Sequence, residues 1–130
     1  MTRKRVLLVD DSNTALLMQQ MLLKNRSDFD VVTAHDGLEA VEKTVALLPD
    51  LILMDVVMPR MTGIEACKQI RLQDATRHIP IILVTTRGEP ENVEQGYASG
   101  CNDYVTKPIN GAELISKIED LIGVEEVAAS

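Results

Sequence analysis

The sequence predicts an α/β protein, a five-stranded parallel sheet flanked by five helices. Three observations carry that reading. Short apolar runs alternate five times with stretches of helical period. The runs Val6–Val9, Leu51–Met54 and Ile81–Val84 are apolar without alternation, as strands covered on both faces must be. With 130 residues, 45% hydrophobic and 25% charged, the chain suffices for one core and is too short for two.

In order, Val6–Val9 reads as the first strand, and Asn13–Asn25 as a helix with Leu16, Leu17, Met21 and Leu22 at helical spacing. Phe29–Ala34 is the second strand, followed by a helix from Asp36 to Leu48 that Pro49 stops. Leu51–Met54 is the third, followed by a helix from Thr62 to Leu72. Ile79–Val84 precedes a helix over Pro90–Ser99, and Asp103–Thr106 precedes one over Asn110–Ile122, closed by Gly123. Thr62/Glu65 and Asn110/Glu113 have capping-box spacing, which Asp36/Glu39 repeats. The second and fifth strands mix in polar residues and should be edges, so the order 2-1-3-4-5 is one allowed solution. Right-handed crossovers then place helices one and five on one face and helices two to four on the other. Residues 1–123 form the expected domain, and 124–130, without period, a short flexible tail.

Thirteen Lys and Arg against twenty Asp and Glu give a net charge of −7. Direct nucleic-acid binding and attachment to anionic lipid are therefore not expected. The longest apolar run, Ile79–Val84, falls far short of the roughly 18 residues of a membrane span. Met1–Arg5 resembles the start of a signal peptide, but the following apolar stretch ends at once in Asp10-Asp11, so a cytoplasmic protein is expected. Cys67 and Cys101 lack metal or disulfide spacing and read as small core residues, and His35 and His78 as surface histidines without partners.

Ligands of an open parallel sheet bind beyond the carboxyl ends of its strands, where strand order reverses. There the first strand ends in Asp10-Asp11 and the third in Asp55, the fourth ends in Thr85, and the fifth in Thr106-Lys107-Pro108. Three convergent carboxylates call for a hard cation, and carboxylates with water suit Mg²⁺. Acids, a hydroxyl and a lysine around such an ion make a site for phosphoryl transfer with a carboxylate nucleophile. Each residue alone is an ordinary loop or cap residue; the conjunction at successive strand ends discriminates.

These residues resemble the receiver domain of two-component response regulators, from Arg5 to Ile122. The carriers are Val6-Leu7-Leu8-Val9-Asp10-Asp11-Ser12, Asp36-Gly37-Leu38-Glu39-Ala40, Leu53 through Asp55 to Pro59 and Gly63, Val84-Thr85-Thr86, and Gly100 through Tyr104 to Lys107-Pro108. The resemblance implies a flavodoxin-like, doubly wound fold. It implies that Asp55 accepts a phosphoryl group from a sensor histidine kinase or phosphotransfer protein. Asp11, Asp55 and the Val57 carbonyl would then bind Mg²⁺, with Asp10 acting through metal-bound water, and Lys107 and Thr85 would bind phosphoryl oxygens. Movement of Thr85 would let Tyr104 swing inward and remodel the face of helix four, strand five and helix five that meets a downstream protein. Lys107-Pro108 resembles the family's cis-proline turn.

The same resemblance places Val57, Thr86 and Arg87 beside the path of the hydrolytic water. An apolar Val57, a bulky Thr86 and a long Arg87 imply slow self-dephosphorylation. Such a chain is a signalling phosphoacceptor, assisting its own phosphotransfer, rather than an enzyme. It is expected to be a monomer or a phosphorylation-dependent dimer. No output domain follows helix five, so the reading is a single-domain regulator or a receiver cut from a longer chain. Asp10-Asp11-Ser12 lacks the Asp-x-Asp of a haloacid-dehalogenase-type phosphatase, and Ser12-Asn13-Thr14 lacks the glycine of a flavin-phosphate loop. The stronger rival is a degenerate receiver that acts as an interaction module without phosphorylation.

Overall fold

The strands are β1 (Arg5–Val9), β2 (Asp30–Ala34), β3 (Leu51–Asp55), β4 (Ile81–Thr86) and β5 (Asp103–Lys107), with β1, β3 and β4 the most apolar. The helices between and after them are α1 (Asn13–Lys24), α2 (Gly37–Leu47), α3 (Gly63–Arg71), α4 (Pro90–Ser99) and α5 (Gly111–Ile122). The computed structural model describes residues 3–24, 29–86 and 90–123; the expected helix end at Asn25 and the expected tail 124–130 lie outside them. All strand pairs are parallel and the order is β2-β1-β3-β4-β5, as the composition of the strands suggests.

Side chains alternate across the sheet and build two cores. Val6, Leu8, Leu51, Leu53, Ile82, Val84 and Val105 pack with Leu16 and Leu23 of α1 and Leu114, Ile115 and Ile118 of α5. Leu7, Val9, Ile52, Met54, Ile81 and Leu83 face Ala40 of α2 and Ile64, Ala66, Cys67 and Ile70 of α3. α4 packs on this second side: a Cβ at Gly96 would come within 2.8 Å of Leu83 Cδ1. The predicted division of the helices is thus observed. Cys67 and Cys101 are both buried and free.

The strand limits shift by one or two residues from the expected ones. β4 begins at Ile81 rather than Ile79, because Pro80 has no N–H to give and the Ile79 N–H closes a turn onto Thr76 O. At their carboxyl ends β3, β4 and β5 run further than expected, to Asp55, Thr86 and Lys107, and Asp55 and Lys107 are paired ladder residues. The helix starts differ from one another. Thr62 and Glu65 form a complete capping box. At Asn110 and Asp36 only the forward half of the box forms, each accepting the N–H three residues on. The Glu39 carboxylate accepts instead from the His35 N–H and pairs with Lys43.

Candidate phosphoryl-transfer site

The site residues stand at the carboxyl ends of four strands, β1, β3, β4 and β5, each within two residues of the last strand position, so the sheet fixes their spacing. Asp10 follows Val9, is wholly buried, and accepts the Ser12 N–H on Oδ1 at 2.9 Å. Asp55 ends β3 and is 7% exposed. Asp11 turns outward to solvent. Ligand oxygens of Asp10, Asp11 and Asp55 all lie within 4.8 Å of one another. Lys107 Nζ reaches Asp10 Oδ2 at 3.2 Å and Asp55 Oδ2 at 3.1 Å, crossing from the edge strand to the centre of the sheet. The Lys107–Pro108 peptide is cis.

Two buried carboxylates sharing one ammonium set the electrostatics. Burial pushes the Asp55 pKa up; the Lys107 hydrogen bond and charge and the Val57 N–H oppose this, while Asp10 adds to it, and the sum stays raised. Burial works against the Lys107 charge, yet the hydrogen bonds and charges of Asp55 and Asp10 outweigh it and hold the ammonium above its usual range. Both shifts follow from burial and from the crowding of two acids around one ammonium. Thr85 is 2% exposed, and among the described residues its Oγ1 finds no hydrogen-bond partner. Three oxygens within reach of one ion, and a buried hydroxyl without an acceptor or donor, suit a hard cation and an oxyanion.

Of the other expected residues, Val57 is 63% exposed, and its backbone N–H bonds the Asp55 carboxylate. Thr86 is exposed and pairs with Lys107 in the ladder. Arg87 lies outside the described residues. Tyr104 is half-buried on β5, with its ring edge-on to Tyr97 at 6.1 Å and Lys117 Nζ 5.4 Å from its centroid. Its ring therefore sits on the face between α4 and α5.

A family model for the response regulator receiver domain matches residues 6–119. The chain is a response regulator receiver domain. The receiver is 38% identical over 97% of its length to the alkaline phosphatase synthesis transcriptional regulatory protein PhoP of Bacillus subtilis, and it covers 51% of that protein. It thus spans about half the length of PhoP and of the similarly matched ResD. Among solved structures, the receiver domain of sensor histidine kinase PA1611 from Pseudomonas aeruginosa, with magnesium coordinated in its active site cleft, superimposes with a TM-score of 0.86 at 31% identity, covering 95% of the receiver and all of that chain. The Saccharomyces cerevisiae Ssk1 receiver, solved with the histidine phosphotransfer protein Ypd1, matches with a TM-score of 0.84 at 29% identity, over 92% of the receiver and 89% of that chain.

Two features escaped the sequence reading. His35 is not without partners: its ring nitrogens meet Asn13 Oδ1 at 2.9 Å and Glu39 Oε1 at 3.3 Å, linking the starts of α1 and α2. Asp36, read as a cap, also pairs with Arg60 at 3.4 Å. The i, i+4 spacing of His35 and Glu39 was a local signal. The Asp36–Arg60 pair bridges two loops, and nothing in the linear pattern marks it.

Proposed function

We propose that Asp55 is the phosphoacceptor of a two-component relay. A carboxylate oxygen of Asp55 attacks the phosphorus of a phosphohistidine on a sensor histidine kinase or phosphotransfer protein. The new P–O bond forms as the P–N bond breaks, and the imidazole nitrogen leaves with the electron pair and takes a proton. Lys107, fixed by the β5 tip, pairs with one phosphoryl oxygen, and the Thr85 hydroxyl donates to another. Asp11, Asp55 and the Val57 carbonyl would hold Mg²⁺, with Asp10 orienting bound water. The ion supplies the charge that neutralises the phosphoryl oxygens. The supporting observation is the Lys107 ammonium bridging Asp10 and Asp55 beside an unpartnered, buried Thr85 hydroxyl.

Recruitment of Thr85 to the phosphoryl group would free space for Tyr104 and change the face of α4, β5 and α5 for a downstream protein. In this reading residues 1–123 are the receiver, 124–130 a tail, and the domain works in the cytoplasm without binding nucleic acid itself. Among the described residues no helix is long and apolar enough to cross a membrane. Val57, Thr86 and Arg87 would set a long phosphoryl lifetime, and the protein would be a monomer or a phosphorylation-dependent dimer.

Acetyl phosphate with Mg²⁺, followed by mass spectrometry, tests the central step. One phosphoryl group on Asp55 is expected, falling at least about tenfold in Asp55→Asn, which keeps the shape but loses the nucleophile. No labelling of the unaltered chain would favour the interaction module without phosphorylation. Stoichiometric labelling elsewhere in Asp55→Asn would reassign the acceptor.

A further inference from the structure

The loop joining β3 to α3 carries Val57 and begins after Asp55; the Met61 N–H on Pro59 O at 2.7 Å closes a tight turn centred on Arg60, and three further contacts hold the loop. At its far end the Gly63 N–H bonds Val56 O at 2.9 Å, closing the loop on itself. At its middle the Met61 carbonyl accepts the Gly37 N–H at 3.1 Å, tying the loop to the first turn of α2. A Cβ at Gly37 would come within 2.4 Å of that carbonyl oxygen, so the approach is as close as a backbone permits. The third contact is ionic, Arg60 Nε to Asp36 Oδ2 at 3.4 Å.

Arg60 is an unexpected occupant of its position. Its φ is +67°, a left-handed conformation that costs a residue with a Cβ about 1 kcal/mol relative to glycine. Its side chain is 72% exposed, so no core packing accounts for its presence. What it meets is Asp36, whose carboxylate is nearly buried and whose other oxygen caps α2 by accepting the Glu39 N–H at 2.8 Å. The Asp36 carboxylate thus joins the fixed start of α2 to the loop that follows the acceptor.

We propose that Arg60 is a positioning residue, whose pairing with Asp36 holds the Asp55–Gly63 loop in the shape that presents the Val57 backbone to the divalent-cation site. The proposal rests on the phosphoacceptor reading above, since only a site that uses Mg²⁺ gives the loop shape this consequence. Two effects of opposite sign make it testable. Arg60→Gly removes a positive charge near an acidic cluster, and by charge alone Mg²⁺ should bind more tightly. It also relieves the left-handed strain, so the fold should be no less stable. If the pairing positions the loop, Mg²⁺ binds more weakly despite both.

Mg²⁺ binding by isothermal titration calorimetry and the melting temperature of the metal-free protein are the two readouts. Arg60→Gly is expected to weaken Mg²⁺ binding about two- to fivefold, the scale of an ion pair with one exposed partner, at an unchanged or higher melting temperature. Arg60→Lys, which keeps a cation within reach of Asp36 and keeps the strain, is expected to restore most of the affinity. Unchanged or tighter binding in Arg60→Gly overturns the proposal. So does weaker binding together with a lowered melting temperature, which marks general loosening, or a lysine variant as weak as the glycine one. Absence of Mg²⁺ binding by the unaltered chain would instead overturn the parent reading, and this one with it.

Discussion

Lys107 is the single described cation that touches both buried acids, and its removal separates two roles. In Lys107→Ala, Asp10 and Asp55 face each other without compensation, which is destabilising because burial already disfavours the charge on Asp55. Allowing for the 36% of the lysine side chain open to solvent, the loss is expected to be about 1–2 kcal/mol in urea unfolding without metal. Mg²⁺ should recover most of it by supplying the missing charge, while acetyl-phosphate labelling stays low. Phosphoryl lifetime is a second question at this scale. On the proposed reading the Val57 side chain would offer a hydrolytic water no hydrogen bond, so Val57→Asn combined with Arg87→Glu is expected to speed phosphoryl loss, followed by the decay of the labelled protein. An unchanged or slower decay would remove these side chains from the account.

Loops and helix starts bring the acids to one place, and here glycine decides what fits. A Cβ at Gly63 would lie 2.2 Å from the Asp55 carbonyl oxygen, a backbone atom that cannot yield without moving Asp55 itself. Gly63→Ala is expected to cost about 1–3 kcal/mol by chemical denaturation and to impair labelling as well. Thr62→Ala, which removes the adjacent capping oxygen, should cost about 1 kcal/mol and leave labelling near normal. Periodicity made the elements legible: Leu114, Ile115 and Ile118 stand at helical spacing, and all three are buried. Asp10, Asp55, Thr85 and Lys107 were legible because each stands at a strand's carboxyl end, where topology alone forces convergence. The Asp36–Arg60 pair and the short contact of Gly37 with Met61 were not, because they join loops whose conformation depends on the packed molecule. The proposed switch belongs to this scale too. Beryllofluoride with Mg²⁺ should shift the NMR signals of Tyr104 and α4 much more than those of Phe29, which is buried with α1 and α5. Shifts confined to the acids would exclude the proposed coupling.

For the whole molecule, the proposed metal site would link ion binding to stability. An ion that binds only the folded chain raises its melting temperature, and Asp11, exposed and outside the core, can be changed without disturbing packing. Mg²⁺ at ten times its dissociation constant is expected to stabilise the unaltered protein by about 1.4 kcal/mol and Asp11→Ala by much less at the same concentration. Equal shifts would mean that Asp11 is not a ligand. The sheet itself has another consequence. Its central strands are buried on both sides, so neighbouring residues such as Leu7 and Leu8 belong to separate cores that do not touch across the backbone. Substitutions in one layer that lie far from those in the other should sum in stability, which double-mutant cycles in chemical denaturation check. A lineage carrying this fold is free to rewrite the packing beneath α1 and α5 while the packing beneath α2, α3 and α4 stands still, with the acids at the strand tips held in place by whichever layer is not changing.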